Sequence, residues 1–280
     1  MRFDDRQSAR TDAYVQCVTA LTALVICVAA LVVTLNDRGK GGIGDPGAGV
    51  VVPAPGRGAP VPQLQLETVG STRSGGDAGA LAEWARQRAG RLGIPVRALQ
   101  AYGYASVVLA LNQPECHLGW TTLAAIARIE SNHARHGGAS VAADGMVSPP
   151  IRGVPLDGTG GNAVIVEADA GGRSVYSRAM GPFQFIPDTW NRWGVRASAD
   201  YPALRDAVAS ETTVSDPALT GHPDNIDDAA VAAGRYLCAA GGDLSTGAGW
   251  QRAVFAYNHS TKYVDDVRRA AVAYSEESTQ

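Results

Sequence analysis

Gly119–Asn132 reads GWTTLAAIARIESN, and it sets an acid where a helix of this pattern buries hydrocarbon. Leu123, Ile126 and Glu130 fall at i, i+3 and i+7, with Ala127 beside them, so the carboxylate lies in the apolar stripe while Arg128 points the other way. A carboxylate there is costly unless paired or protonated, and the last helical turn adds the negative end of the macrodipole. Both effects raise the pKa of Glu130, as a general acid requires. The plainer alternative is a partly exposed glutamate at a frayed helix end.

Upstream, Asp77 reads as the N-cap of a helix over Ala78–Leu92, with Leu81, Trp84, Ala85 and Arg88 on one face. Gly93 stops it, and Pro95 opens a second helix to Leu111, at the turn where its missing N–H is harmless. Before this, residues 36–76 are rich in Gly, Pro, Val and Ser without helical or alternating pattern, and read as a linker. Residues 13–35 form an almost unbroken apolar run, long enough to span a bilayer as a helix. The run is longer than a signal-peptide core and lacks a clear small-x-small site, which favours an uncleaved anchor over a cleaved signal. Residues 1–12 form a short cytoplasmic tail. Arg38 and Lys40 beyond the run weaken any orientation argument from charge.

Downstream, His136 to Tyr176 reads as a glycine-rich insertion with extended pieces near Met146–Val154 and Ala163–Glu167, too long for an idle connection. Asp157, Glu167 and Asp169 do not match an EF-hand spacing, so no metal site is assigned. Ser177–Trp193, SRAMGPFQFIPDTWNRW, gathers Phe183, Phe185, Trp190 and Trp193 around the amide of Gln184, a mixture suited to sugar faces and hydroxyls, with some rings expected in the core. A polar loop with Pro202, Pro217 and Pro223 leads to a helix capped by Asn225, with Ile226, Ala230, Ala233 and Leu237 on its buried side. Cys116 and Cys238 are an even pair available for a disulfide if the domain lies outside the cytoplasm. The last helical segment, about Ala248–Ala256, ends in AYNHSTKYVDDV, and residues 275–280 read as a solvated tail.

The chain has 280 residues, 45% of them hydrophobic, so it can supply a sizeable core. With 33 Gly but only 4 Phe and 3 Met, it suits close helix packing and glycine-rich loops more than a β-sandwich. A formal net charge of −3 with scattered arginines gives no basic field for nucleic acid.

The blocks ARIESNH, RAMGPFQFIPDTW and AYNHSTKYV, in that order, resemble the lytic murein transglycosylases, in particular the membrane-bound B-type relatives common in actinobacteria. The likeness runs from about Ala80 to Ala273. It implies a mainly α, goose-type lysozyme-like domain over residues 77–274, carried outside the cytoplasm by the membrane anchor, or secreted if the leader is cleaved. The activity implied is cleavage of the β-1,4 bond between N-acetylmuramic acid and N-acetylglucosamine in peptidoglycan glycan strands, with no cofactor or metal. The resemblance matches Glu130 and Ser131 to the catalytic Glu-Ser pair, Gln184 to the amide of the Gly-x-x-Gln-Phe block, and Tyr257-Asn258 to the Tyr-Asn pair at muramic acid. Tyr263 falls at the spacing of a further sugar-contacting tyrosine. Phe183 stands where methionine is common, which alters the cleft wall, and Ser177 is a looser match to a serine of some relatives. Two rivals remain: a hydrolytic muramidase in which Asp144 or Asp188 positions water, and a non-catalytic wall-binding scaffold tethered to the membrane.

Overall fold

A computed structural model describes residues 52–64, 66 and 75–280 apart from 170 and 211, with backbone alone at 75–79. The apolar run 13–35, the tail 1–12 and most of the segment 36–76 lie outside the described residues. The described chain is mainly helical: α1 (Gly75–Leu92), α2 (Val96–Asn112), α3 (Trp120–Ser131), α4 (Pro187–Trp193), α5 (Tyr201–Ala209), α6 (Ile226–Gly241), α7 (Gly247–Tyr257) and α8 (Thr261–Ser278). Two small antiparallel pairs interrupt it between α3 and α4. In one, β1 (Ser140–Val141) meets β2 (Val147–Ser148). In the other, β3 (Val166–Ala168) meets β4 (Ser174–Tyr176), with Val166 opposite Tyr176.

α6 is the central post. Its run Ala229–Ala233 is buried on every side, which small side chains permit because neighbouring helices then approach closely. Asn225 caps it, the side-chain oxygen accepting from the backbone N–H groups of Asp227 and Asp228 at 3.0 and 3.3 Å. α2 and α7 pack against α6, and α3 packs along α8. Cys116, just ahead of α3, is bonded to Cys238 near the end of α6, Cα atoms 5.3 Å apart. The closed loop of 122 residues holds the start of the Glu130 helix against the post.

Three segments depart from the sequence reading. α5 was hidden inside the apparent polar loop, because Pro202 reads as a breaker although it occupies the first helical turn, where proline starts helices. α8 was not foreseen as a helix, and its last turn contradicts the solvated tail after Tyr274. Its stripe of Tyr263, Val264, Val267, Ala270, Ala271, Tyr274 and Ser278 is buried. The charged residues Asp265, Asp266, Arg268 and Arg269 interleave with this stripe and mask it in composition, though its spacing is helical.

The third departure is at the N-terminal side. Residues 52–64, read as part of the linker, form an extended strap laid across the start of α3 and the end of α8. Thr121 Oγ1 donates to the Gly56 carbonyl at 2.7 Å, Trp120 Nε1 to the Ala59 carbonyl at 3.0 Å, and the Ala59 N–H to Ser278 Oγ at 2.9 Å. Gly58 lies at φ +73°, and a Cβ there would sit 2.7 Å from both Thr121 and Trp120, so this crossing requires glycine. Ala59 and Leu64 are the strap's buried side chains, Leu64 joining the core.

Candidate active site

Glu130 sits in the last turn of α3, partly buried, with Leu123, Ile126 and Ala127 fully buried behind it. The hydroxyl of Tyr263, in the first turn of α8, donates to Glu130 Oε1 at 2.6 Å. Burial pushes the Glu130 carboxyl up to about 7, and the Tyr263 hydrogen bond acts in the opposite direction. Burial, followed by the nearby Glu130 charge, raises Tyr263 and Tyr257 well above the ordinary phenol value, so both stay protonated. Among the described residues, Glu130 is the one carboxylate whose charge acts on these two phenols.

The opposite wall is the turn Gly181–Gln184. It is closed by mutual backbone bonds between Met180 and Phe185 at 2.8 and 3.0 Å. Gly181 has φ +72°, and a Cβ there would lie 1.9 Å from the Pro223 carbonyl oxygen, so glycine alone fits. The turn is clamped from two helix ends. Ser131 Oγ donates to the Pro182 carbonyl at 2.7 Å, and the Tyr257 hydroxyl to the Phe183 carbonyl at 2.7 Å. Gln184 takes φ +50°, and its side-chain amide donates back to the Gly181 carbonyl at 2.8 Å. From behind, the insertion supports this turn: Gly153 N–H bonds the Ala179 carbonyl and Gly181 N–H the Ile151 carbonyl, each at 2.9 Å. Arg152 fixes the insertion by a two-pronged bond to the buried Asp224 at 2.6 and 2.8 Å.

The predicted residues thus divide. Glu130, Tyr257 and Tyr263 come together where α3, α7 and α8 meet the 181–184 turn, while Gln184 stands in that turn and Asn258 ends α7 next to Tyr257. Phe183 does not line a cleft: it is fully buried, its ring edge-on to Tyr102 with centroids 5.9 Å apart. Phe185, Trp190 and Trp193 are buried as well, so the aromatic cluster builds the floor rather than a face for sugar. Ser177 is fully buried in the insertion, away from solvent, and Ser131 is buried with its hydroxyl engaged by the protein. Physically, aromatic and hydroxyl residues serve cores and sugar sites equally well, and composition does not separate the two.

Sequence reasoning overlooked Tyr236, whose ring lies 5.6 Å from that of Tyr257 and whose hydroxyl donates to the Ala256 carbonyl at 2.6 Å. A lone tyrosine in an Ala-rich helix was the available signal. It also overlooked Arg235, fully buried, whose guanidinium donates to the carbonyls of Trp193, Ser210 and Thr212 at 2.6, 3.0 and 3.1 Å. These carbonyls lie at the ends of α4 and just beyond α5, where helix dipoles favour a cation. Among the described residues, no three His, Cys, Asp or Glu side chains converge as a metal site.

The arrangement offers one carboxyl poised near neutrality, a phenol donating to it, and a second buried phenol beside it that clamps the 181–184 turn. Comparison with known protein families, with curated proteins and with solved structures yields no match to this chain.

Proposed function

We propose that the chain is a lytic transglycosylase of peptidoglycan with a lysozyme-like fold, held at the outer face of the cell membrane by residues 13–35. The observation that carries this reading is Glu130, raised to about 7 and hydrogen-bonded by Tyr263, with no second carboxylate acting on it among the described residues. Ordinary glycosidases work with two carboxylates flanking the bond. Here Asp188 is exposed in the first turn of α4, and the Asp144 carboxylate accepts from the Met146 N–H at 3.0 Å in a tight turn. Neither acts on the proton affinity of Glu130.

A single carboxyl serves if it gives and then takes a proton. Protonated Glu130 donates to the glycosidic oxygen as the bond to C1 of muramic acid breaks, with the substrate's N-acetyl group assisting departure. The ionised Glu130 then accepts the proton of the C6 hydroxyl as that oxygen closes on C1. The products are a 1,6-anhydro sugar and a free glycan end, without consumption of water. A carboxyl near neutrality performs both transfers. Tyr263 steadies the ionised form between them, while the roles of Gln184 and Asn258 at the substrate's amide groups are those the resemblance implies.

The strap bears on placement. With it docked, the connection from the span to the domain is Asn36–Val51, 16 residues. Even fully extended, this reaches no more than roughly 55 Å.

The test is mass spectrometry of peptidoglycan digested by the detergent-solubilised full chain and by Glu130→Gln. Anhydro-muropeptides from the wild type and none from the variant are expected. Reducing-end products would replace this reading with a hydrolytic muramidase. Absence of release by the wild type, or release unchanged in the variant, would leave the wall-binding scaffold.

A further inference from the structure

α3 does not simply end after Glu130. Asn132, His133 and Ala134 follow with φ of 51°, 59° and 63°, three successive non-glycine residues in the left-handed region. Such a run is unfavourable residue by residue and persists only where its surroundings fix it. Backbone bonds contribute: Asn132 N–H to the Arg128 carbonyl and His133 N–H to the Ala127 carbonyl, each at 3.0 Å. Ser131 Oγ accepts from the Ala134 N–H at 2.9 Å.

The remaining hold is the His133 imidazole, 1% exposed. Its Nδ1 lies 3.2 Å from the Tyr102 hydroxyl on α2, and its Nε2 lies 2.9 Å from the Tyr274 hydroxyl on α8. A neutral imidazole has one donor and one acceptor nitrogen, and a phenol serves in either role, so one tautomer satisfies both contacts. Burial, with Arg135 and Arg128 nearby, lowers the His133 pKa to about 3, so the ring is neutral across the range in which Glu130 titrates. The two tyrosines lead back to the site. Tyr102 packs edge-on to Phe183, whose carbonyl accepts from Tyr257, and Tyr274 shares the buried stripe of α8 with Tyr263.

We propose that His133 is a positioning residue: by bridging Tyr102 and Tyr274 it locks the left-handed turn behind Glu130 and sets the carboxyl against the Tyr263 hydroxyl. This rests on the reading of Glu130 as the acid. The charged and titratable groups around the pair are Arg128 and Arg135 beside the imidazole, Tyr102 and Tyr274 on its nitrogens, and Tyr257 and Tyr263 beside the carboxyl.

The test uses the detergent-solubilised full chain carrying His133→Phe, His133→Asn or Tyr274→Phe, with release of muropeptides followed across pH. Phenylalanine keeps the bulk and removes both bonds; asparagine tolerates the left-handed backbone and restores one polar contact. For His133→Phe, kcat is expected to fall tenfold or more with KM within twofold, and the alkaline limb of the profile to move to higher pH as the Tyr263 bond loosens. His133→Asn should recover part of both, and Tyr274→Phe should move both in the same direction by less. A folded His133→Phe with wild-type kcat and limb overturns the proposal. If that variant does not fold, wild-type profiles in both of the others overturn it. If Glu130→Gln itself keeps wild-type release, the acid reading fails, whereas an inactive Glu130→Gln beside an unaltered His133→Phe sinks only the positioning role.

Discussion

Glu130→Gln should make the fold more stable, and the gain should depend on pH. The substitution keeps the shape and leaves an oxygen to accept from Tyr263, but it removes the charge. In the folded protein the carboxyl is raised from the ordinary 4.5 to about 7, chiefly by burial. The folded state therefore binds a proton more tightly than the unfolded chain, and stability falls as pH rises from about 4.5 through about 7. At about 1.4 kcal/mol per pH unit, the full loss is about 3 kcal/mol at pH above 8. Below about pH 4, glutamic acid is neutral in both states and the two proteins should be nearly equal.

Urea titration of the described domain, residues 52–280, at pH 4 and pH 8.5 gives the comparison. The quantity of interest is the change in the stability gap between the two pH values, because packing differences between Glu and Gln are common to both and cancel. A gap widening by about 2 to 4 kcal/mol in favour of the glutamine variant is expected. A gap that stays constant, or that closes with rising pH, refutes the placement of Glu130 in a desolvated site. Loss of catalysis in the same variant, read from released muropeptides, would show that the destabilising charge is the working one.

Tyr263→Phe removes a hydrogen bond that lowers the Glu130 pKa, so the alkaline limb of the pH–rate profile should move up by about one to two pH units, given about 1.5–3 kcal/mol for a bond to a charged group. Shortening the described domain to begin at residue 66 instead of 52 removes three strap hydrogen bonds together with the buried Ala59 and Leu64 side chains. A stability loss of about 3–5 kcal/mol by urea titration is expected. Arg235→Met leaves the buried Trp193 carbonyl, and those of Ser210 and Thr212 in part-buried bonds, without their donor. It should cost about 3 kcal/mol or more by the same titration, against less than about 1 kcal/mol for the exposed Arg86→Met.

The helices that announce themselves in sequence are those whose burial is carried by local pattern. α3 and α6 have uninterrupted apolar spacing and, for α6, a cap at Asn225, so their boundaries follow from residues close in the chain. α8 has the same spacing, but four charges beside its stripe hide it from composition, and α5 begins with a proline that looks like an ending. The strap is harder still. Nothing in GRGAPVP marks it as docked, because its fit depends on Trp120, Thr121 and Ser278, far away in sequence. The site divides along the same line. Glu130 is legible because a carboxylate in an apolar stripe contradicts its own neighbours, while Phe183 and Ser177 misled because residue type does not say which way a side chain faces. His133 stood in plain view in the ARIESNH block, yet its partners come from Tyr102 and Tyr274, and no local signal joins the three.

Burial alone would leave Glu130 protonated, able to give a proton but slow to take one back. A carboxylate held by several donors would stay ionised and have nothing to give. The site reaches an intermediate affinity by opposing the two, and it draws them from different parts of the chain. The apolar stripe of α3 supplies desolvation, which is why the acid half of the chemistry can be read from a single helix. The phenol that supports the ionised form arrives on α8, whose register against α3 is fixed in its last turns by Ser278 on the strap and Tyr274 on His133, and in its first turn by Tyr263 on Glu130. The base half is therefore a property of how two antiparallel helices are clamped. Substitutions far from Glu130 that loosen this clamp should alter its proton affinity before they unfold the domain.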